Sequence, residues 1–162
     1  MKNEHGFSLV ELLIVVAIIA IIAAIAVPSL LTSRMAANEA SAIQGCRTIG
    51  SAEIAFAATN NQQFTDLASL YTGQFLDGRF SATANVINGY TYGEDDVPVE
   101  GGTAFTSNLP TGFAFVATPN SGLGRFSYGV GPDQVVRYVG YQDPATGYPT
   151  GSDAGTPIGK NN

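Results

Sequence analysis

Few side chains in this 162-residue sequence could do chemistry, and their placement excludes most of it. The one histidine, His5, lies at the amino end, so removing that end would leave no imidazole for a catalytic triad, an H-E-x-x-H zinc site or a haem ligand. The one cysteine, Cys46, allows no internal disulfide and no C-x-x-C pair. One acidic cluster, Glu94, Asp95 and Asp96 with Glu100 close behind, is a candidate for a hard cation such as calcium. Its spacing matches no EF-hand, and beside Pro98 and Gly101-Gly102 it reads more simply as a solvated loop, so no cofactor is expected. Those carboxylates alone do not make a glycosidase, and no G-x-x-x-x-G-K-[ST] phosphate loop occurs. Net charge is −6, and beyond residue 6 the only cations are Arg34, Arg47, Arg79, Arg125, Arg137 and Lys160. They form no basic patch along the sequence, so nucleic acid is not an expected partner. The expectation is a protein that is not an enzyme.

The remaining unusual residue is Glu11. Leu12 to Val27 is a run of sixteen apolar residues, and Phe7 to Val27 contains only Ser8 and Glu11 as polar members. As a helix those twenty-one residues span about 30 Å, the thickness of a bilayer core. An isolated carboxylate in hydrocarbon is disfavoured by roughly 3 kcal/mol or more, so Glu11 requires a partner. No Lys or Arg lies within the run. Cleavage between Gly6 and Phe7 would create an α-amine on Phe7, one helical turn from Glu11, and the amine of a neighbouring copy would serve equally well. A secretory signal cut after Ala24-Ile25-Ala26 would bury Glu11 in its own apolar core, and a plain single-span anchor explains the length but not the acid.

Gly6-Phe7-Ser8-Leu9-Val10-Glu11, followed by the apolar run and Pro28, resembles the prepilin signal of type IV pilins and type II secretion pseudopilins. The resemblance covers Gly6 to about Pro28. It implies cleavage after Gly6 by a membrane-embedded prepilin peptidase, N-methylation of Phe7, and Glu11 as the carboxylate that guides assembly. It implies as partners other copies of the chain, membrane lipid before assembly, and an inner-membrane assembly platform with a separate ATPase. The implied location is the cytoplasmic membrane as a single-pass precursor and an extracellular filament once assembled. The implied fold is α+β: a long kinked N-terminal α-helix, membrane-spanning in its first half, packed on an antiparallel β-sheet head.

The remaining sequence agrees with that outline. Residues 1–6 read as a leader, 7–28 as a membrane-spanning or filament-core helix, 29–59 as its amphipathic half, and 60–162 as a globular head. Past Pro28 the chain stays helix-compatible to about Thr59, with Leu31, Met35, Ala42, Cys46, Ile49 and Phe56 as one apolar stripe and Arg34, Asn38, Ser41 and Gln44 off it. From Phe7 to Thr59 such a helix is about 80 Å long. Pro28 is expected to kink it near the middle. Many relatives carry a glycine midway along the apolar run, where the helix loosens in the fibre; Ala20 stands near that point here and favours helix. Gly45 and Gly50 are expected to allow close packing against the sheet, and Cys46 to be a small buried apolar residue.

A short helix over Thr65 to Tyr71, capped by Thr65 or Asp66, is expected next. Strands are expected at Gly89–Gly93, Gly112–Thr118, Arg125–Val130 and Gln134–Tyr141, the last two joined by a turn at Gly131-Pro132-Asp133. Phe113, Phe115, Phe126, Tyr128, Val136 and Tyr138 are the inward candidates. From Gln142 onward an irregular surface tail is expected. The functional expectation is a pilin that polymerises into a type IV pilus. The alternatives are a pseudopilin of a type II secretion system, and a membrane-anchored binding module in which Tyr141 and Tyr148 stack on a ligand.

Overall fold

From Leu9 to Thr59 alanine and leucine alternate with β-branched residues and only one proline intervenes, and the stretch forms a single 51-residue helix, α1. The computed structural model describes residues 7–81, 86–141 and 155–158. The chain divides into two compact units, Met1–Arg34 and Met35–Asn162. In the first unit, α1 passes through Pro28 without interruption, although proline has no N–H for the preceding turn. The hydroxyls that follow bond back along the helix. Thr32 Oγ1 donates to the carbonyls of Pro28 at 3.2 Å and Ser29 at 2.9 Å, and Ser33 Oγ donates to the Ser29 carbonyl at 2.9 Å.

In the second unit, α1 is followed by α2 (Leu67–Thr72), a 3-10 turn (Gly78–Phe80) and five strands: β1 (Val86–Ile87), β2 (Tyr90–Glu94), β3 (Phe115–Pro119), β4 (Phe126–Val130) and β5 (Val136–Tyr141). Asp66 caps α2, its side chain accepting from the Ser69 amide at 2.6 Å. The strands form an antiparallel meander in the order β1-β2-β3-β4-β5. The four expected strands are present, with β3 starting three residues later than expected. β1 is an addition. It pairs with β2 across Asn88-Gly89, where both residues have positive φ, 49° and 79°, as a two-residue primed turn requires.

One face of the sheet meets α1. Ala42, Cys46, Ile49 and Ala52 of the helix share a core with Tyr90, Tyr92, Phe113, Phe115, Ala117, Tyr128, Val130 and Val136. All six inward candidates lie in or against this core, Phe126 and Tyr138 being half-buried. Each fully buried aromatic contributes on the order of 1.5–3 kcal/mol. Aromatic edges fill the layer: Phe126 and Tyr138 lie 5.2 Å apart, and Phe64 and Phe113 4.9 Å. The glycines make the close approach that their lack of a side chain allows. A Cβ on Gly45 would overlap the Tyr92 ring, and one on Gly50 would come within 2.7 Å of Gln134 Oε1.

The opposite face carries a smaller core of Val97, Ala114 and Val116, with Phe105 and Val139 against it. The loop after β2 folds over this face, Val97 and Phe105 exchanging backbone hydrogen bonds of 2.8 and 2.9 Å.

The expectation of an irregular tail needs correcting at residues 155–158. They return along the outer edge of β5, where the Tyr138 amide donates to Thr156, the Gly155 amide to Tyr138 and the Ile158 amide to Val136, at 2.7–3.1 Å. Backbone pairing thus holds the last strand without a disulfide. Residues 142–154, including Tyr148, lie outside the described residues.

Candidate functional site

The residues of the N-terminal signal stand at the start of α1. Phe7 precedes the helix and is 83% exposed, and Glu11 sits exposed in its first turn. An acid in that position is favoured by the helix dipole. Gly6 lies outside the described residues. From Leu9 to Leu31 every large apolar side chain of this segment is exposed, and α1 is the one described helix long and apolar enough to cross a membrane. An apolar surface of that extent is not sustained in water by a monomer, and lipid or other apolar helices are the surroundings that suit it. Ala20 lies within uninterrupted helix.

Among the described residues three ion pairs form, Arg79 with Asp77, Arg125 with Glu39 and Arg137 with Asp133, and none involves Glu11. Among the described residues none supplies an ion pair to that acid. Arg137 holds Asp133 below the usual carboxylate range: burial alone would raise the acid, but the hydrogen bonds from Arg137 and the Val135 amide outweigh it.

The acidic residues singled out for a cation are not brought together as a site. Glu94 ends β2, where Ser107 Oγ donates to it at 3.4 Å, and Asp95 and Asp96 follow on the exposed loop. The Glu100 amide instead donates to the Gly155 carbonyl at 3.2 Å. Among the described residues no three His, Cys, Asp or Glu side chains are arranged to hold a metal ion.

Cys46 is buried, its thiol donating to the Tyr128 carbonyl at 3.7 Å, and burial pushes its pKa up to about 12. It stays a thiol, as its place on the apolar stripe implies.

Two acids on α1 were not singled out by sequence. Glu39 and Glu53 are buried, each seven residues from Cys46 and thus two turns away on the same face. That spacing was the available signal, hidden because glutamate in an alanine-rich helix reads as a solvated residue. Glu39 accepts from the Arg125 amide, Nε and Nη2 at 2.9–3.0 Å, which ties the β3–β4 turn to the helix. Of Asn38 and Ser41, both expected off the packed stripe, Asn38 reinforces that tie and Ser41 meets the β1–β2 turn. Asn38 Nδ2 donates to the Leu123 carbonyl and Asn88 Nδ2 donates to Ser41 Oγ, both at 2.8 Å.

The family model for the prokaryotic N-terminal methylation motif matches residues 1–27. The type IV wide pilus major component PilA4 of Thermus thermophilus is 51% identical over 39 residues, 24% of this chain and 30% of that protein. The chain thus matches under a third of that relative's length. The chain thus carries a prokaryotic N-terminal methylation motif, is similar over a short stretch to a type IV pilus component, and joins that motif to a long apolar-ended helix and a five-stranded antiparallel sheet.

Proposed function

We propose that this chain is a pilin, cut between Gly6 and Phe7, methylated on the new Phe7 amine and polymerised into an extracellular type IV pilus. The observation that carries the reading is a methylation motif whose Glu11 stands at the start of an exposed apolar helix, with no cation from its own chain among the described residues. Before assembly, residues 7–28 cross the cytoplasmic membrane once. During assembly the apolar segments of many copies pack together, which replaces lipid contacts with helix contacts. The Phe7 amine of a neighbouring copy neutralises Glu11 and sets the register between subunits. The role is structural. The energy for extrusion comes from a separate ATPase on an inner-membrane platform.

The test is intact mass and N-terminal sequencing of material sheared from cells. Long extracellular fibres whose subunit begins at methylated Phe7 support the proposal. Retention of Met1 to His5, or a start after Ala26, overturns the cleavage, and absence of long fibres favours a pseudopilin. Glu11→Ala is expected to insert into the membrane normally while fibre yield collapses; normal yield counts against the register role.

A further inference from the structure

Glu53 has no part in that role, yet its surroundings are unusual for an acid. Its side chain is fully buried on the face of α1 that carries Ile49, Ala52 and Ala57. Oε2 accepts one hydrogen bond, from the Thr65 amide at 3.2 Å, and Oε1 has no hydrogen-bond partner among the described residues. The segment that supplies the Thr65 amide is the connector from α1 to α2. It opens with two consecutive residues in the left-handed region, Asn61 at φ 53° and Gln62 at φ 60°, neither of them glycine. Such backbone is held only by its surroundings. The connector is also tied to the end of α1, where the Asn60 and Gln62 amides donate to the Ala57 carbonyl and Asn60 Nδ2 to the Phe56 carbonyl, and to the loop before β3, where the Phe64 amide donates to the Pro110 carbonyl at 2.8 Å and the Phe64 ring meets Phe113.

The charged groups facing Glu53 are both acids, Asp66 from the start of α2 and Glu94 from the end of β2. The three arginines that form ion pairs among the described residues hold Asp77, Glu39 and Asp133 instead. A neutral carboxyl in this place leaves one oxygen dry. A charged one leaves half an anion dry beside two other anions, and water must then reach it. The connector carries two consecutive left-handed residues, and beyond the two helices it joins its one backbone-to-backbone hydrogen bond among the described residues is that of Phe64 to Pro110.

We propose that Glu53 and residues 60–66 form a proton-controlled latch, closed while the carboxyl is neutral and opened to water when its proton is lost. Burial, reinforced by Glu94 and Asp66 against the opposing Thr65 hydrogen bond, raises Glu53 from 4.5 to about 7. The closed form therefore keeps its full advantage below about 4.5 and loses it as pH rises through about 7. One proton passes from the carboxyl to bulk water per opening. The latch is independent of whether the chain forms pili, since it needs only the folded second unit.

Peptide-level hydrogen exchange on the full chain in detergent micelles, corrected for intrinsic pH chemistry, reads the opening of residues 60–66 directly. Between pH 5 and 7 opening is expected to rise about five- to sevenfold per pH unit, roughly fortyfold in all, and then level off. Glu53→Gln is expected to remove the rise. Glu94→Gln, which deletes one facing charge, is expected to end it at a lower pH. A flat wild-type profile, an unchanged rise in Glu53→Gln, or opening spread evenly over the whole head overturns the latch. Should Glu53→Gln fail to fold, a carbon-13 carboxyl titration of wild-type Glu53 decides instead. A midpoint near 7 supports the latch, and one in the ordinary glutamate range overturns it.

Discussion

Glu39 and Glu53 lie on the same face of one helix, both buried and equally far from Cys46 along the chain. Around Glu39 the β3–β4 turn delivers a guanidinium and a backbone amide, three donors in all, and Asn38 fastens the same turn. Around Glu53 the α1–α2 connector delivers one amide, and the nearby charges repel. The difference teaches that burial alone does not define a structural acid. Where a cation and preset donors accompany the carboxylate, it is a rivet between helix and sheet. Where they do not, it is a group whose charge the fold resists.

The largest effect expected from breaking that comparison is that of Arg125→Ala, which leaves Glu39 as poorly partnered as Glu53. Removing one partner of a buried pair typically costs 3–5 kcal/mol, and because Arg125 is half exposed the expected loss is about 2–4 kcal/mol. Denaturation of the full chain in micelles measures it, and a loss under about 0.5 kcal/mol would make the pair ornamental. Asp66→Ala sharpens the contrast at the other acid. It removes the cap of α2, worth about 1 kcal/mol, and also one charge facing Glu53. Stability at pH 5 is therefore expected to drop, while the pH at which the connector finishes opening moves down; an unmoved pH profile would show that Asp66 acts only as a cap. Least is expected of Arg79→Ala. Its pair with Asp77 is largely in water, at 67% and 50% exposure, so the melting midpoint is expected to stay within error.

How much of this was legible in the sequence depended on how local each signal was. The apolar run, the motif around Phe7 and Glu11, the Asp66 cap and the alternating aromatics of β3 to β5 are short patterns whose consequences lie within a few residues. The structure places helix, cap and strands where they point. Gly45 and Gly50 were legible for the same reason, as small residues interrupting a helix. The Asn88-Gly89 dipeptide also carries a local hairpin signal, and reading the strand from Gly89 hid both the turn and β1. The buried acids were harder. Their spacing from Cys46 was on the page, but the groups that meet them come from elsewhere in the chain: residue 125 for Glu39, and for Glu53 the amide of residue 65 and the charge of residue 94. The return of residues 155–158 beside β5 carries no pattern of its own, since backbone pairing asks little of side-chain type. Of the candidate site, the acid and its apolar surroundings were legible. No described ion pair involves Glu11, so nothing local in the sequence or the fold assigns it a partner.

That returning segment also limits how heads can meet. A bare outer strand offers amides and carbonyls to any passing chain, and proteins kept at high local density are the ones most exposed to such zippering. Here residues 155–158 already occupy the β5 rim, and the strand at the opposite end of the sheet, β1, has only two residues. Chance ribbon growth is thereby blocked along the first half of β5, from Val136 to Tyr138, and any ordered joining of copies there must rely on the shape and character of side chains.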